Sequence, residues 1–203
     1  MKIYETRMAP NPRRVRIFLA EKGIEDIEYV QLDIQKGDNL SKEFRAKNSS
    51  AKVPVLELDN GTCLSETVAI CRYFEALNAD LPLMGVSALE QANIEMWNRR
   101  MEIDFYFPVA AAFRHTTGYF SDREAVHQGW GETNKTYVAE QFQFLDQHLA
   151  ENEFIAGSEY SIADITALCT VDFARVVGSR VTDELPNLQH WYRAMQARPS
   201  YEA

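Results

Sequence analysis

Cysteine is scarce in this chain: Cys63, Cys71 and Cys169 are the only three in 203 residues. They form no CxxC pair and no Cys/His metal spacing, and their odd number argues against a disulfide framework. Each reads as a small core residue. Long hydrophobic runs are missing as well, with nothing near the ~18 apolar residues that a membrane span needs. The opening Met1-Lys2-Ile3-Tyr4-Glu5-Thr6-Arg7 has no apolar leader segment. A cytoplasmic protein with no secretory signal and no membrane attachment is therefore expected. Positive charge is in deficit, since 21 Lys and Arg stand against 30 Asp and Glu for a net charge of −9. That balance argues against a nucleic-acid partner. Internal repeats and low-complexity segments are lacking too.

What is present is a globular composition, 46% hydrophobic and 25% charged, long enough for one large or two small domains. The first eighty residues alternate strand-like and helix-like segments. Lys2 to Glu5 reads as a strand. Val15, Phe18 and Leu19 recur at helical spacing, with Gly23 as the helix stop. Ile27 to Leu32 is a half-buried strand, and Asn39 to Lys47 a weaker helix. Val53-Pro54-Val55-Leu56-Glu57-Leu58 leads into Asp59-Asn60-Gly61-Thr62, a strong hairpin signal. Thr62 to Leu64 is the return strand, and from Glu66 onward Ile70, Phe74 and Leu77 share a helix face. The expected order is β-α-β-α-β-β-α over residues 1–80.

Residues 81–87, with Leu81-Pro82-Leu83-Met84-Gly85, read as a linker. Residues 88–203 show no strand. Ala88 to about Thr116 is helical, with Pro108 expected to kink or interrupt it. Gly118, Gly129 and Gly131 predict a looser stretch. Val138, Phe142, Leu145 and Leu149 form an i, i+4, i+7, i+11 stripe. Further helices are expected from about Ile162 to Val177 and from about Leu188 to Ala197. An α/β unit followed by an all-α unit predicts a ligand cleft between them.

Four segments carry chemistry. Met8-Ala9-Pro10-Asn11-Pro12-Arg13-Arg14-Val15-Arg16 joins the first strand to the first helix. Asn11 is a candidate N-cap and Pro12 suits the first turn. A helix N-terminus favours an anion, a thiolate included; alone, the segment reads as a capped helix with arginines on a solvated face. In Lys52-Val53-Pro54, a cis bond would open the Val53 backbone to an extended peptide ligand, by strand addition. Without it, Pro54 is an edge residue. Leu64-Ser65-Glu66-Thr67-Val68-Ala69-Ile70 passes from strand to helix, with Ser65 as candidate N-cap. Its free N–H groups suit a carboxylate and Glu66 an ammonium, the two charges of an amino-acid head group; it is also a plain helix start. Ser161-Ile162-Ala163-Asp164-Ile165 is a capping box, with Tyr160 and Ile165 as its hydrophobic staple, and is structural.

In this order and spacing the four segments resemble the glutathione S-transferase family, and the resemblance covers essentially the whole chain. Pro10 through Gly23 is typical of bacterial members. Phe154-Ile155-Ala156-Gly157 through Ser161-Ile162-Ala163-Asp164 is similar to the family's C-terminal signature. The resemblance implies a thioredoxin-like glutathione-binding domain (1–80) and an all-helical second-substrate domain (88–203). By position, Val53 would pair its backbone with the cysteinyl part of glutathione, with Pro54 cis. Glu66 and Thr67 would hold the γ-glutamyl end, and Lys52 or Lys42 the glycyl carboxylate. The family is usually dimeric, so a homodimer is implied, with Asp104 reaching the partner's glutathione. Second-substrate contacts would include Met8, Ala9, Met101, Phe105, Tyr106, Phe113 and His115. No cofactor is implied beyond glutathione as co-substrate, and no metal.

The chain departs from the family at the thiol-activating position. Serine-type members carry a serine six residues before the position matched by Val15, where this chain has Ala9; the cysteine of the beta class is absent too. The Pro10-Asn11 pair resembles that of the nu-like class, which makes Asn11 the first candidate to contact the sulfur, with Tyr4 and Thr6 as alternatives and main-chain N–H groups as another. Three activities follow: conjugation of glutathione to small hydrophobic electrophiles, glutathione-dependent disulfide or peroxide reduction, and a non-catalytic binding module.

Overall fold

The computed structural model describes residues 1–203, which divide into two compact units, Met1–Pro82 with Glu202–Ala203, and Leu83–Tyr201. No helix is long and apolar enough to cross a membrane.

The first unit is thioredoxin-like. Its elements are β1 (Lys2–Glu5), α1 (Pro10–Glu21), β2 (Glu28–Gln31), α2 (Lys42–Lys47), β3 (Val55–Glu57), β4 (Cys63–Ser65) and α3 (Thr67–Leu77). The sheet order is β2-β1-β3-β4, with β1 and β2 parallel and β3 antiparallel to both its neighbours. A parallel β1–β2 pair needs a crossover, which α1 supplies. The β3–β4 hairpin turns through Gly61 at φ 83°, where a side chain would be strained. Asn60 accepts from the Thr62 N–H there at 3.0 Å. Ile3, Leu56, Ile17, Phe18, Ile70 and Phe74 are buried on the side of the sheet that carries the helix pair α1 and α3, whereas Val55, in register with Tyr4, is buried on the opposite face, where Tyr4 meets Phe44 of α2. Glu5 is fully buried and is neutralised by Arg16, whose Nε donates to both carboxylate oxygens at 3.0 and 2.8 Å.

The second unit is all helix: α4 (Ala88–Arg100), a wide-turn π segment (Met101–Tyr106), α5 (Phe107–Thr117), α6 (Gln128–His148), α7 (Ile162–Ala174) and α8 (Pro186–Gln196). α7 is the core helix, with all but two of its residues buried. The α6 stripe of Val138, Phe142, Leu145 and Leu149 is buried as its spacing predicts. The expected interruption near Pro108 is present: the α-helical run stops at Arg100 and resumes at Phe107, with Pro108 in the first turn of α5, where a missing N–H costs little. The irregularity lies just upstream, in the π turns. The looser stretch is corrected at Gly129 and Gly131, which lie inside α6. A Cβ on Gly131 would come within 2.6 Å of Thr116 Cγ2, so this glycine permits the close approach of α6 to α5.

α7 opens with the expected capping box. Asp164 accepts from the Ser161 N–H at 3.0 Å, from the Ile155 N–H at 2.9 Å and from Trp191 Nε1 at 3.0 Å. One buried carboxylate thus ties the 154–157 turn, the start of α7 and α8 together. The Tyr160 ring packs edge-on against Phe154 and beneath Arg198.

Candidate functional site

The strand register gathers three loops at one end of the sheet. Tyr4 pairs with Val55, and Val55 with Ser65. Because β3 runs opposite to both neighbours, the chain leaving β1 after Glu5, the chain entering β3 through Val53 and Pro54, and the chain leaving β4 at Glu66 all meet there. These are the first three of the chemistry-bearing segments.

α1 begins at Pro10 and not at Asn11. Ala9 holds the cap position (φ −78°, ψ 140°) with no side-chain cap. Proline at the first helical position is preset for the helix and loses no needed donor, so Asn11 moves inside the first turn and its expected capping role is corrected. Pro10 and Pro12 have no N–H, and the Arg13 N–H is taken by Ala9 O at 3.3 Å. Asn11 is therefore the one residue of Pro10–Arg13 whose main-chain N–H stays open. Its side chain is oriented too: Asn11 Oδ1 accepts from Arg14 Nη1 at 3.3 Å, which leaves both Nδ2 hydrogens free to donate. Arg14 was read in the sequence as part of a solvated face, yet it is 3% exposed. The i, i+3 spacing of Asn11 and Arg14 was the available signal.

The alternatives fare differently. Tyr4 donates its hydroxyl to Glu57 Oε2 at 2.6 Å and lies under the Lys47 ammonium. The hydrogen bond to Glu57, followed by burial, raises the Tyr4 pKa. A phenol held as a donor to a carboxylate is not offered to a thiolate, and Tyr4 is set aside. Thr6 Oγ1 donates to Leu32 O at 2.8 Å, so its one proton is committed and it too is set aside. Met8 is 90% exposed, and Ala9 is half-buried.

The Val53–Pro54 peptide bond is cis. Pro54 is buried, Val53 is half-buried, and the Val53 N–H and C=O have no partner within the chain. Two asparagines that the sequence reading did not single out hold the approach. Asn48 Nδ2 donates to Lys52 O at 2.8 Å, and Asn39 Nδ2 to Ala51 O at 2.6 Å. Lys52 and Lys42 are both exposed.

At the third loop the strand continues through Ser65, so the cap position falls on Glu66 and the Ser65 expectation is corrected. Glu66 adopts φ 69° and ψ 123°, a conformation that costs a non-glycine residue about 1–3 kcal/mol and that collects at ligand sites. Ile70 N–H closes on Glu66 O at 3.0 Å. The N–H groups of Thr67, Val68 and Ala69 therefore open the helix unpaired. Thr67 is buried and Glu66 exposed.

In the second unit, Met101 and Phe105 are fully buried, Phe105 packing edge-on against Phe142. Both are corrected from ligand contacts to core residues, since no part of either reaches a surface. Tyr106 and Phe113 share the ring of Phe173, with centroids at 6.3 and 5.3 Å, and Phe113 meets Tyr119 at 5.1 Å. All four are at least partly exposed. His115 Nδ1 accepts from the His127 N–H at 3.3 Å, and Asp104 is exposed.

Comparison with known proteins gives the family. The family model for the glutathione S-transferase N-terminal domain matches residues 9–77, and that for the C-terminal domain residues 128–199. The chain is 38% identical over 203 residues to glutathione S-transferase 2 of Saccharomyces cerevisiae, covering 98% of this chain and 87% of that protein. The crystal structure of Gtt2 from Saccharomyces cerevisiae superposes with a TM-score of 0.95 at 38% identity, over 100% of this chain and 99% of that one. A probable elongation factor 1-gamma 1 of Arabidopsis thaliana is 30% identical over 191 residues; these are 90% of this chain but 45% of that protein. The chain belongs to the glutathione S-transferase family.

Proposed function

We propose that the protein conjugates the thiol of glutathione to small hydrophobic electrophiles, in the cytoplasm and as a homodimer. The observation that carries this reading is the Asn11 amide. Arg14 holds its oxygen, so its nitrogen points two donors outward beside the one open main-chain N–H of the first turn of α1. Such donors stabilise a thiolate over a thiol and lower the pKa of a bound sulfur. Val53 offers an unpaired main-chain donor and acceptor to the cysteinyl residue. Glu66 and the open N–H groups of Thr67 and Val68 suit the γ-glutamyl ammonium and carboxylate. Lys52 or Lys42 suits the glycyl carboxylate.

The thiol proton leaves to solvent, and the thiolate attacks the electrophilic carbon. With an aryl halide a C–S bond forms, the C–halogen bond breaks and halide departs with its electron pair. The half-exposed aromatic group of Tyr106, Phe113, Phe173 and Tyr119 is the apolar surface for the electrophile. For the dimer, Leu89, Met96, Ile103 and Phe107 are large, exposed apolar residues spaced seven, seven and four apart along one helical run. Such a stripe wants a partner, and Asp104 lies on the same run.

The test is retention on immobilised glutathione, followed by turnover of an aryl halide and of a mixed disulfide in parallel. Conjugation of the halide supports the proposal, and disulfide turnover alone replaces it with a reductase. Ala9, at the position where serine-type members carry their hydroxyl, favours a second reading, a binding module that does no chemistry. Retention without turnover of either compound selects that reading.

A further inference from the structure

The second unit carries a concavity of about 410 Å³, within the size range of small-molecule sites. It lies where α7, the connector after it and α8 meet, and none of its lining residues belongs to the glutathione reading. Three arginines enter it: Arg175 just past α7, Arg180 in the connector and Arg193 on α8. Val181, with the small exposed parts of the buried Val171 and Tyr192, supplies its apolar part.

Charge is the unusual feature. In a chain of net charge −9, three guanidinium groups share one hollow. Arg175 is engaged, by Asp172 at 3.1 Å and by the Tyr192 hydroxyl. Arg180 and Arg193 are exposed and have neither an ion pair nor a hydrogen bond in the chain. Asp183, the acid nearest in sequence, is bound by the Gln189 side chain at 2.9 Å and does not line the hollow. Arg193 alone could be explained by the dipole of α8, in whose last turn it lies. Arg180 belongs to neither helix, so the dipole does not explain its place. Setting the three guanidinium charges against Asp172 leaves two positive charges, both on planar forks suited to bidentate contact with an oxyanion. A phosphate monoester carries about −1.5 to −2 at neutral pH, whereas a carboxylate or sulfate ester carries one charge. We propose that this hollow is a second ligand site for a small organic phosphate monoester, its dianion between Arg180 and Arg193 and its organic body on Val171, Val181 and Tyr192.

Titration calorimetry on the full chain tests this with phenyl phosphate at pH 7.5, without glutathione and again with saturating glutathione. One phenyl phosphate binds per chain, about tenfold or more tightly than phenyl sulfate, the monoanion of the same shape, and than inorganic phosphate, which lacks the organic body. The doubly substituted Arg180→Gln, Arg193→Gln protein loses at least about tenfold in affinity while its melting temperature and glutathione retention stay unchanged, because both side chains are exposed and unbonded. The site is overturned by any of four results: no saturable binding, competition by glutathione, equal affinity for phenyl sulfate, or undiminished binding to the double variant.

Discussion

Arg14 Nη1 donates to Asn11 Oδ1 at 3.3 Å, one helical turn away on the same face of α1. This contact decides which end of the amide faces outward. With Ala9 where serine-type relatives carry their hydroxyl, and with prolines on both sides of Asn11 removing main-chain donors, that amide is the main polar group left at the start of α1.

Tyr4→Phe leaves conjugation within about twofold of the parent and lowers stability by about 1 kcal/mol. The hydroxyl lost is bonded to Glu57, and a typical intramolecular hydrogen bond contributes on that order. Steady-state kinetics and urea unfolding measure the two effects. A loss of activity of a hundredfold would return Tyr4 to the catalytic site.

Glu66→Gln raises KM for glutathione by about tenfold with little change in kcat, as expected for loss of one charge-assisted contact made equally in ground and transition states. The neutral side chain keeps the size of the original at a backbone position that is already unusual. An unchanged KM would detach Glu66 from the γ-glutamyl ammonium.

The fold was legible in the sequence where local chemistry acts alone. The Asn60-Gly61 turn, the α6 stripe and the Ser161–Asp164 box are each set by a few neighbouring residues, and each formed as expected. The errors arose where two local signals competed. At Pro10-Asn11-Pro12 a good capping residue lost to a proline already shaped for the first helical turn. At Ser65-Glu66 a good cap stayed in the strand because β4 needed it opposite Val55. Burial was the least legible property: Met101 and Phe105 looked like pocket residues, and Arg14 like a surface residue, because helical spacing says which side chains share a face but not what covers that face. The site's loops were found by their motifs, while their supports, Asn39 and Asn48, carry no motif.

Asp164 makes stability depend on pH. Burial pushes its carboxyl up to about 6, against 3.8 for the free side chain, and the donors from Ile155, Trp191 and Ser161 only partly offset this. The folded state therefore holds the proton more tightly than the unfolded chain between those values. The group's contribution is fully present below about pH 4 and is lost as pH rises to about 6, by roughly 3 kcal/mol. Asp164→Asn, neutral throughout, is the reference. Urea unfolding of both proteins at pH 4, 5, 6 and 7 reads the difference: the wild type loses ground to the variant up to pH 6 and the gap is level above it. A gap that moves the other way would mean the hydrogen bonds outweigh burial.

Ile103→Glu places a charge within the exposed apolar stripe of Leu89, Met96, Ile103 and Phe107, in the π segment between α4 and α5, and yields a monomer. Light scattering shows the change in mass, and melting temperature shows that the fold persists, because Ile103 is about half exposed in the single chain. A variant that keeps the mass of the parent would exclude this stripe from the subunit contact.

The most direct test is the absorbance of the thiolate of bound glutathione, titrated against pH with the wild type and with Asn11→Ala. Bound to the wild type, the sulfur titrates well below the ~8.5 of a free cysteine thiol, and in the variant it climbs back by about one unit or more with a ten- to hundredfold loss of kcat/KM, the range for a hydrogen bond to a charged group. A pKa that is lowered equally in both proteins would contradict the account, because the thiolate would then owe its stability to something other than Asn11.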